Sequence, residues 1–224
     1  DRLDAAISRN NRAIDAARGR MLGAVGTLYI LNNALSAPIA SAQELQRALA
    51  ELGAKGKLSA GQLKDIGSAA TATSGQVNQF TTDILRAQDF LVGMGLDVER
   101  STQAMPSIGK AATATGASLE DLSKAGFAAM SNLGVKAEDL ARSFDIMAAA
   151  GKAGGFELKD MAQYLPSITA LASSKGMTGQ QGLSEIAAAP QIVRRGAGDS
   201  AEAATNFNNI LQKINSIDAI KNFR

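Results

Sequence analysis

The sequence contains no cysteine, no histidine and no tryptophan, and only two of its residues are tyrosine. Without cysteine there are no disulfides and no thiolate metal sites. Without histidine there is no imidazole base, no imidazole metal ligand and no Ser-His or Cys-His nucleophile pair. What remains open to catalysis is an all-carboxylate metal site or chemistry based on Lys or Asp. Aromatic residues make up 4% of the chain. Neither sign of charge dominates, with 23 Lys and Arg against 21 Asp and Glu. That balance does not suit a nucleic-acid binder, which concentrates basic residues on one face. The small clusters Arg9, Arg12, Arg18 and Arg20, and Arg194-Arg195, read as solvated helix faces.

The residues present are those of close-packed helices. Hydrophobic residues reach 46%, supplied mainly by Ala, Leu, Ile and Met, and Gly occurs 22 times. Strands favour β-branched and aromatic residues, so the composition predicts an all-α fold. No period-2 run bounded by turn residues contradicts this. At 224 residues the chain has material for one or two compact domains. It opens on Asp1 rather than an initiator Met, which leads to the expectation of a piece of a longer protein.

The first segment, Arg2 to about Leu35, reads as one long helix. Its apolar residues recur every three or four positions: Leu3, Ile7, Ile14, Ala17, Met21, Ala24, Leu28, Leu31 and Leu35. A mean spacing of 3.5 keeps such a stripe facing a partner helix. Leu3, Ile7, Ile14 and Ala17, with Asn10 as the single polar residue in the series, form a candidate self-association seam. The same stripe could instead pack on the chain's own domain. From Met21 to Gln43 no charge occurs, and Met21, Val25, Leu28, Tyr29, Leu31 and Leu35 form a segment to weigh as membrane-inserting or buried. A spanning helix needs about 20 mostly apolar residues, and Asn32, Asn33, Ser36 and Pro38 break this one. A buried core helix is the favoured reading. Pro38 ends the element.

Short helices follow. Expected spans are Ala42–Leu52 closed by Gly53, Ser59 capping a helix to about Ala70, and Gln76–Val92 after Ser74. Next come Asp97 to Thr115 with Pro106 bending it, and a helix capped by Ser118 with Asp121. The last are Lys136–Lys152, Glu157–Ser173, Thr178–Arg195 and Ser200–Asn215, the final one opened by the Asp199 and Glu202 capping pattern. The domain organisation read from this is a long helix over 1–38, a multi-helix region over 42–216 and a tail over 217–224. An internal echo at a shift of 39 residues pairs Glu99 with Glu138, Gly116 with Gly155, Leu119 with Leu158, Asp121 with Asp160 and Leu122 with Met161. A weaker third copy opens at GMTGQQGLSEI. The echo suggests helical-hairpin repeats.

Motifs of chemistry are missing. There is no GxxxxGK[ST] loop, no GxGxxG after a strand and no GxSxG elbow. The acid pairs Glu120-Asp121 and Glu138-Asp139 sit where early helix turns favour negative charge. Phe127, Met130, Phe144 and Met147 fall at core spacing. The expectation is that the chain is not an enzyme and takes no cofactor and no metal.

Gly95 to Ala112, GLDVERSTQAMPSIGKAA, resembles the core segment of phage tail tape measure proteins. In both, a Gly-led turn precedes an acidic helix start, an Ala-Met-Pro stretch and a small-residue helix. ASLEDL, AEDLARSFDIMAAAGKAGGFELKDMAQYL, SKGMTGQQGLSEIAAA and GDSAEAATNFNNILQKI continue in matching order. The resemblance covers about Ala42 to Ile214. It departs at APQIVRRGAGD and at Ala42, where the family often opens on an aromatic. The resemblance implies a structural protein of the virion tail, in the tube lumen or at the tip, and in the host cytoplasm during assembly. Such proteins govern tail length and leave the tube ahead of DNA at genome ejection. It implies partners: other copies as a homo-oligomer, tail tube and tail-tip or baseplate proteins, and the host membrane at ejection, with no sequence-specific nucleic acid. The alternative is a membrane-active segment, Met21–Leu35, forming a DNA-delivery channel in the host envelope.

Overall fold

A computed structural model describes residues 42–214, and those from Ala48 onward belong to one compact unit. The expected long helix before Pro38 lies outside the described residues. Among them every regular element is helical. The helices are α1 (42–56), α2 (Ala60–Val77), α3 (Thr81–Gly93), α4 (Val98–Thr115) and α5 (Leu119–Leu133). A 3-10 turn, Ala137–Asp139, leads into α6 (Leu140–Gly154), followed by α7 (Leu158–Met161), α8 (Leu165–Ser173), α9 (Gly179–Arg194) and α10 (Ser200–Lys213).

The sequence sets four of the helix starts through side-chain caps. The hydroxyl oxygen of Ser59 accepts the Gln62 amide N–H, while the Gln62 side chain returns to the Ser59 N–H, completing a capping box. Asp97, Ser118 and Asp199 accept the N–H three residues on, at 2.8, 3.0 and 2.8 Å. Each such cap contributes about 1 kcal/mol. Helix ends are set by left-handed residues. Gly116 and Gly155, at φ 70° and 80°, close α4 and α6, a conformation that a Cβ would strain. Asn78 performs the same turn after α2 at φ 53°, as the short amide side chain permits.

The helices form pairs in register. The first helices open after Ser59, Asp97, Lys136 and Thr178, which stand 38, 39 and 42 residues apart. The second helices open after Phe80, Ser118, Glu157 and Asp199, at the same intervals of 38, 39 and 42. First helices stack on first helices, α2 on α4, α4 on α6 and α6 on α9. Second helices do likewise, α3 on α5, α5 on α8 and α8 on α10. One contact, α5 with α9, reaches past the intervening pair. The echo seen in sequence therefore runs through four pairs. The third copy at Gly176 is α9–α10, and α2–α3 is a copy that the sequence reading did not register.

The core follows the register. Four positions after each second-helix cap stand Ile84, Leu122, Met161 and Ala203, all fully buried. One position further on stand Leu85, Ser123, Ala162 and Ala204, again buried. Met130, Phe144 and Met147 join this core as expected, whereas Phe127 is only half-buried.

Some expected spans are corrected. Gly53 does not close α1: Lys57 takes the left-handed turn at φ 51°, and the Leu58 N–H reaches back to the Gly53 carbonyl at 3.0 Å. Inside the helix, Gly53 instead leaves room for Leu63, 3.1 Å from where a Cβ would stand. Ser74 caps nothing. It lies within α2, where its carbonyl accepts the Asn78 N–H, so α2 runs to Val77 and α3 starts only at Thr81. The span Glu157–Ser173 is two helices because Pro166, in the first turn of α8, has no N–H to continue the ladder from α7.

Candidate interaction surface

With the helices stacked, a set of polar side chains bridges one pair to the next. Gln88 of α3 donates to the hydroxyl oxygens of Thr102 at 2.7 Å and Ser101 at 3.3 Å in α4. Asn132 of α5 donates to Thr169 of α8 at 2.9 Å. Gln180 of α9 donates to the Asp139 carbonyl at 2.9 Å and to Ser143 at 2.8 Å. Gln191, buried in α9, makes a two-point clamp on the turn after α6. Its Oε1 accepts the Phe156 N–H and its Nε2 donates to the Phe156 carbonyl, both at 3.0 Å. Sequence reasoning missed this set, although a Gln at core spacing was the available signal.

Two open grooves lie between neighbouring helices. The first, about 500 Å³, runs between α2 and α4, with Ile66, Ala69 and Val98 below and Asp65, Glu99 and Gln103 at its rim. The second, about 480 Å³, lies between α3 and the start of α5, against Phe90 and Leu119. Its mouth is charge-balanced. Arg86 pairs with Asp83 at 3.2 Å, and Lys124 pairs with Glu120 at 2.6 Å and Asp121 at 3.9 Å. The Lys124 ammonium stands 6.0 Å from the Phe90 ring centroid. Its hydrogen bond to Glu120 raises its pKa, slight burial opposes the shift, and the charges of Glu120 and Asp121 add to it. The ammonium is therefore held charged, not poised as a base. The acid pair Glu120-Asp121 thus serves the first turn of α5, as its position implied.

Neither groove gathers groups that could act together on a substrate. Among the described residues no three His, Cys, Asp or Glu side chains are grouped to hold a metal ion. No helix there is long and apolar enough to cross a membrane. Arg194 is tied locally, its guanidinium donating to the Ala197 carbonyl at 2.7 Å and holding the turn after α9. The large hydrophobic side chains that stay exposed are Phe80 and Met94 on the first pair and Ile192, Ile210 and Ile214 on the last. Interior pairs expose none of that kind among the described residues. The seam residues Leu3, Ile7, Asn10, Ile14 and Ala17 lie outside the described residues. So do Met21, Val25, Leu28, Tyr29, Leu31 and Leu35.

Comparison with known proteins places these stacked pairs in a family. Residues 68–224 match the family described as "Phage-related minor tail protein". A stretch of 71 residues is 48% identical to the "Probable tape measure protein" of Burkholderia phage BcepMu. That stretch is 30% of this chain and 8% of the relative's length. No solved structure matches the chain.

Proposed function

The chain belongs to the phage-related minor tail protein family, whose members are structural parts of the phage tail, and we propose that it is a folded module of a tail tape measure protein. The family match over residues 68–224 carries the reading. The helical pairs support it: buried amides such as Gln88 and Gln191 join one pair to the next, and the two grooves hold no convergent chemistry. The module catalyses nothing. It sits at one end of a long helical ruler inside the tail tube, contacts other copies and tail-tip proteins, and leaves with the ruler at genome ejection.

The ruler and the module differ physically. A straight helix adds about 1.5 Å of axial length per residue, whereas a folded pair adds its residues sideways. Deleting α4 with α5, Asp97–Val135, from the gene in its phage or prophage is the test. The expected result is fewer complete tails, with the length of those that form unchanged. If these residues measured as extended helix, tails would shorten by about 60 Å on the same rise, and electron micrographs showing that shortening would refute the placement.

A further inference from the structure

Phe80 stands beside the groove between α3 and α5 without entering it. It is 78% exposed and is the one exposed aromatic among the described residues. It occupies the capping position of α3, where Ser, Thr, Asp or Asn would accept a backbone N–H. Phe80 makes no such bond, so the helix start gains nothing from its ring. Residues at steps of three and four share one face of a helix. Phe80, Asp83, Ala87 and Phe90 make such a series, with Arg86 beside it. The last four of these five residues line the groove. An exposed ring and a groove of about 480 Å³ therefore lie on the same side of α3.

The rim charges indicate what enters. Both banks carry both signs, Asp83 with Arg86 on α3 and Glu120 with Lys124 on α5. Such exposed pairs contribute little by themselves and exchange partners readily. A rim balanced in this way presents no net charge to its own copy. The groove between α2 and α4 differs, because the charges on its rim, Asp65 and Glu99, are both acidic and repel a second copy. The order of residues along α3 is also self-complementary. A two-fold axis crossing α3 between Ile84 and Leu85 sets two α3 helices antiparallel. Asp83 of each copy then stands opposite Arg86 of the other. The same register brings Phe80 of each copy to the level of Asp89 and Phe90 in the other, at the far end of the groove.

We propose that this face of α3 is a self-association surface, on which two copies pair about that axis and each seats its Phe80 in the other's groove against Phe90 and Leu119. The same patch serves both partners, as two-fold pairing requires. The proposal rests on the reading that the module contacts other copies, and it names the surface.

Sedimentation velocity of the 224-residue chain over a concentration series is the test. The parent chain is expected to pass from monomer to dimer as concentration rises. Phe80→Ser, which supplies a capping hydroxyl, is expected to keep the fold and weaken the dimer by at least about tenfold, as loss of a central aromatic anchor does. Asp83→Arg and Arg86→Asp each set like charges across the axis, and each alone is expected to stay monomeric. Mixed in equal amounts, the two are expected to pair with each other, because opposite charges meet again. A parent that stays monomeric throughout would overturn the proposal. A parent dimer that all three substitutions leave unchanged would overturn it too, while contact between copies would stand through another surface. Charge variants that dimerise alone, or that fail to pair when mixed, would overturn the two-fold geometry and the proposal with it.

Discussion

Gln191 offers the sharpest test of how the pairs are joined. Its amide satisfies both backbone groups of Phe156, a residue with no exposure, at 3.0 Å each. Replacing it by Leu keeps the volume and removes both partners. A buried donor or acceptor left unmade costs about 1–3 kcal/mol. Two of them, less the gain from a more apolar side chain, give an expected loss of about 2–4 kcal/mol. For a chain of this size that lowers the melting temperature by about 5–15 °C. Gln191→Glu refines the test through pH. The carboxylate can still accept the Phe156 N–H, but it faces the Phe156 carbonyl with no proton to donate. Burial and that carbonyl raise its folded pKa above the unfolded value of about 4.3. The folded state then binds the proton more tightly, so the variant gains stability relative to the parent as pH falls through the folded pKa. The gain is complete below the unfolded pKa. Thermal or urea unfolding of both variants and the parent at pH 7 and pH 4 provides the readout. A Leu variant within about 0.5 kcal/mol of the parent would refute the clamp, as would a Glu variant whose deficit does not shrink in acid.

Two further substitutions follow from the same packing. Phe80 occupies the capping position of α3 with no side-chain hydrogen bond and lies exposed, so Phe80→Ser is expected to stabilise the chain by about 1 kcal/mol in urea unfolding. The glycines separate propensity from space. Gly75, within α2, has nothing within 4 Å of a Cβ, and Gly75→Ala should stabilise by about 0.5–1 kcal/mol. A Cβ on Gly151 would lie 2.6 Å from the Phe156 carbonyl oxygen and 2.8 Å from the Glu157 Cα. Gly151→Ala should therefore destabilise by about 1–3 kcal/mol despite the better helix former, and a stabilised Gly151→Ala would show that the turn after α6 can yield.

How much of this was legible beforehand depended on where the physics is local. Capping chemistry is local, so Ser59, Asp97, Ser118 and Asp199 announced their helices correctly, and composition alone excluded strands. Stops were harder to read. Gly53 carries the residue type of a terminator but is used for close approach, because tertiary packing against Leu63 decides its role. Pro166 is the residue that splits the expected Glu157–Ser173 span, and the sequence reading did not use it. The repeat was half legible: Gly116 and Gly155 share a residue and hence aligned, while Asn78 performs the same turn with a different residue and hid the first pair. The clamp of Gln191 on Phe156 joins residues 35 apart in sequence, and a Gln at core spacing marks a buried amide without naming its partner. The resemblance to tape measure proteins rested on the order of weak motifs, and the family match supports that order over most of the same residues.

The central claim is that this chain builds part of a phage tail. Quantitative mass spectrometry of purified tails from the phage or prophage that encodes it tests this most directly. Peptides from residues 48–213 should be present at a fixed small number of copies per tail and lost from tails that have ejected their DNA. Tails complete in length and infectivity that lack those peptides would contradict the account.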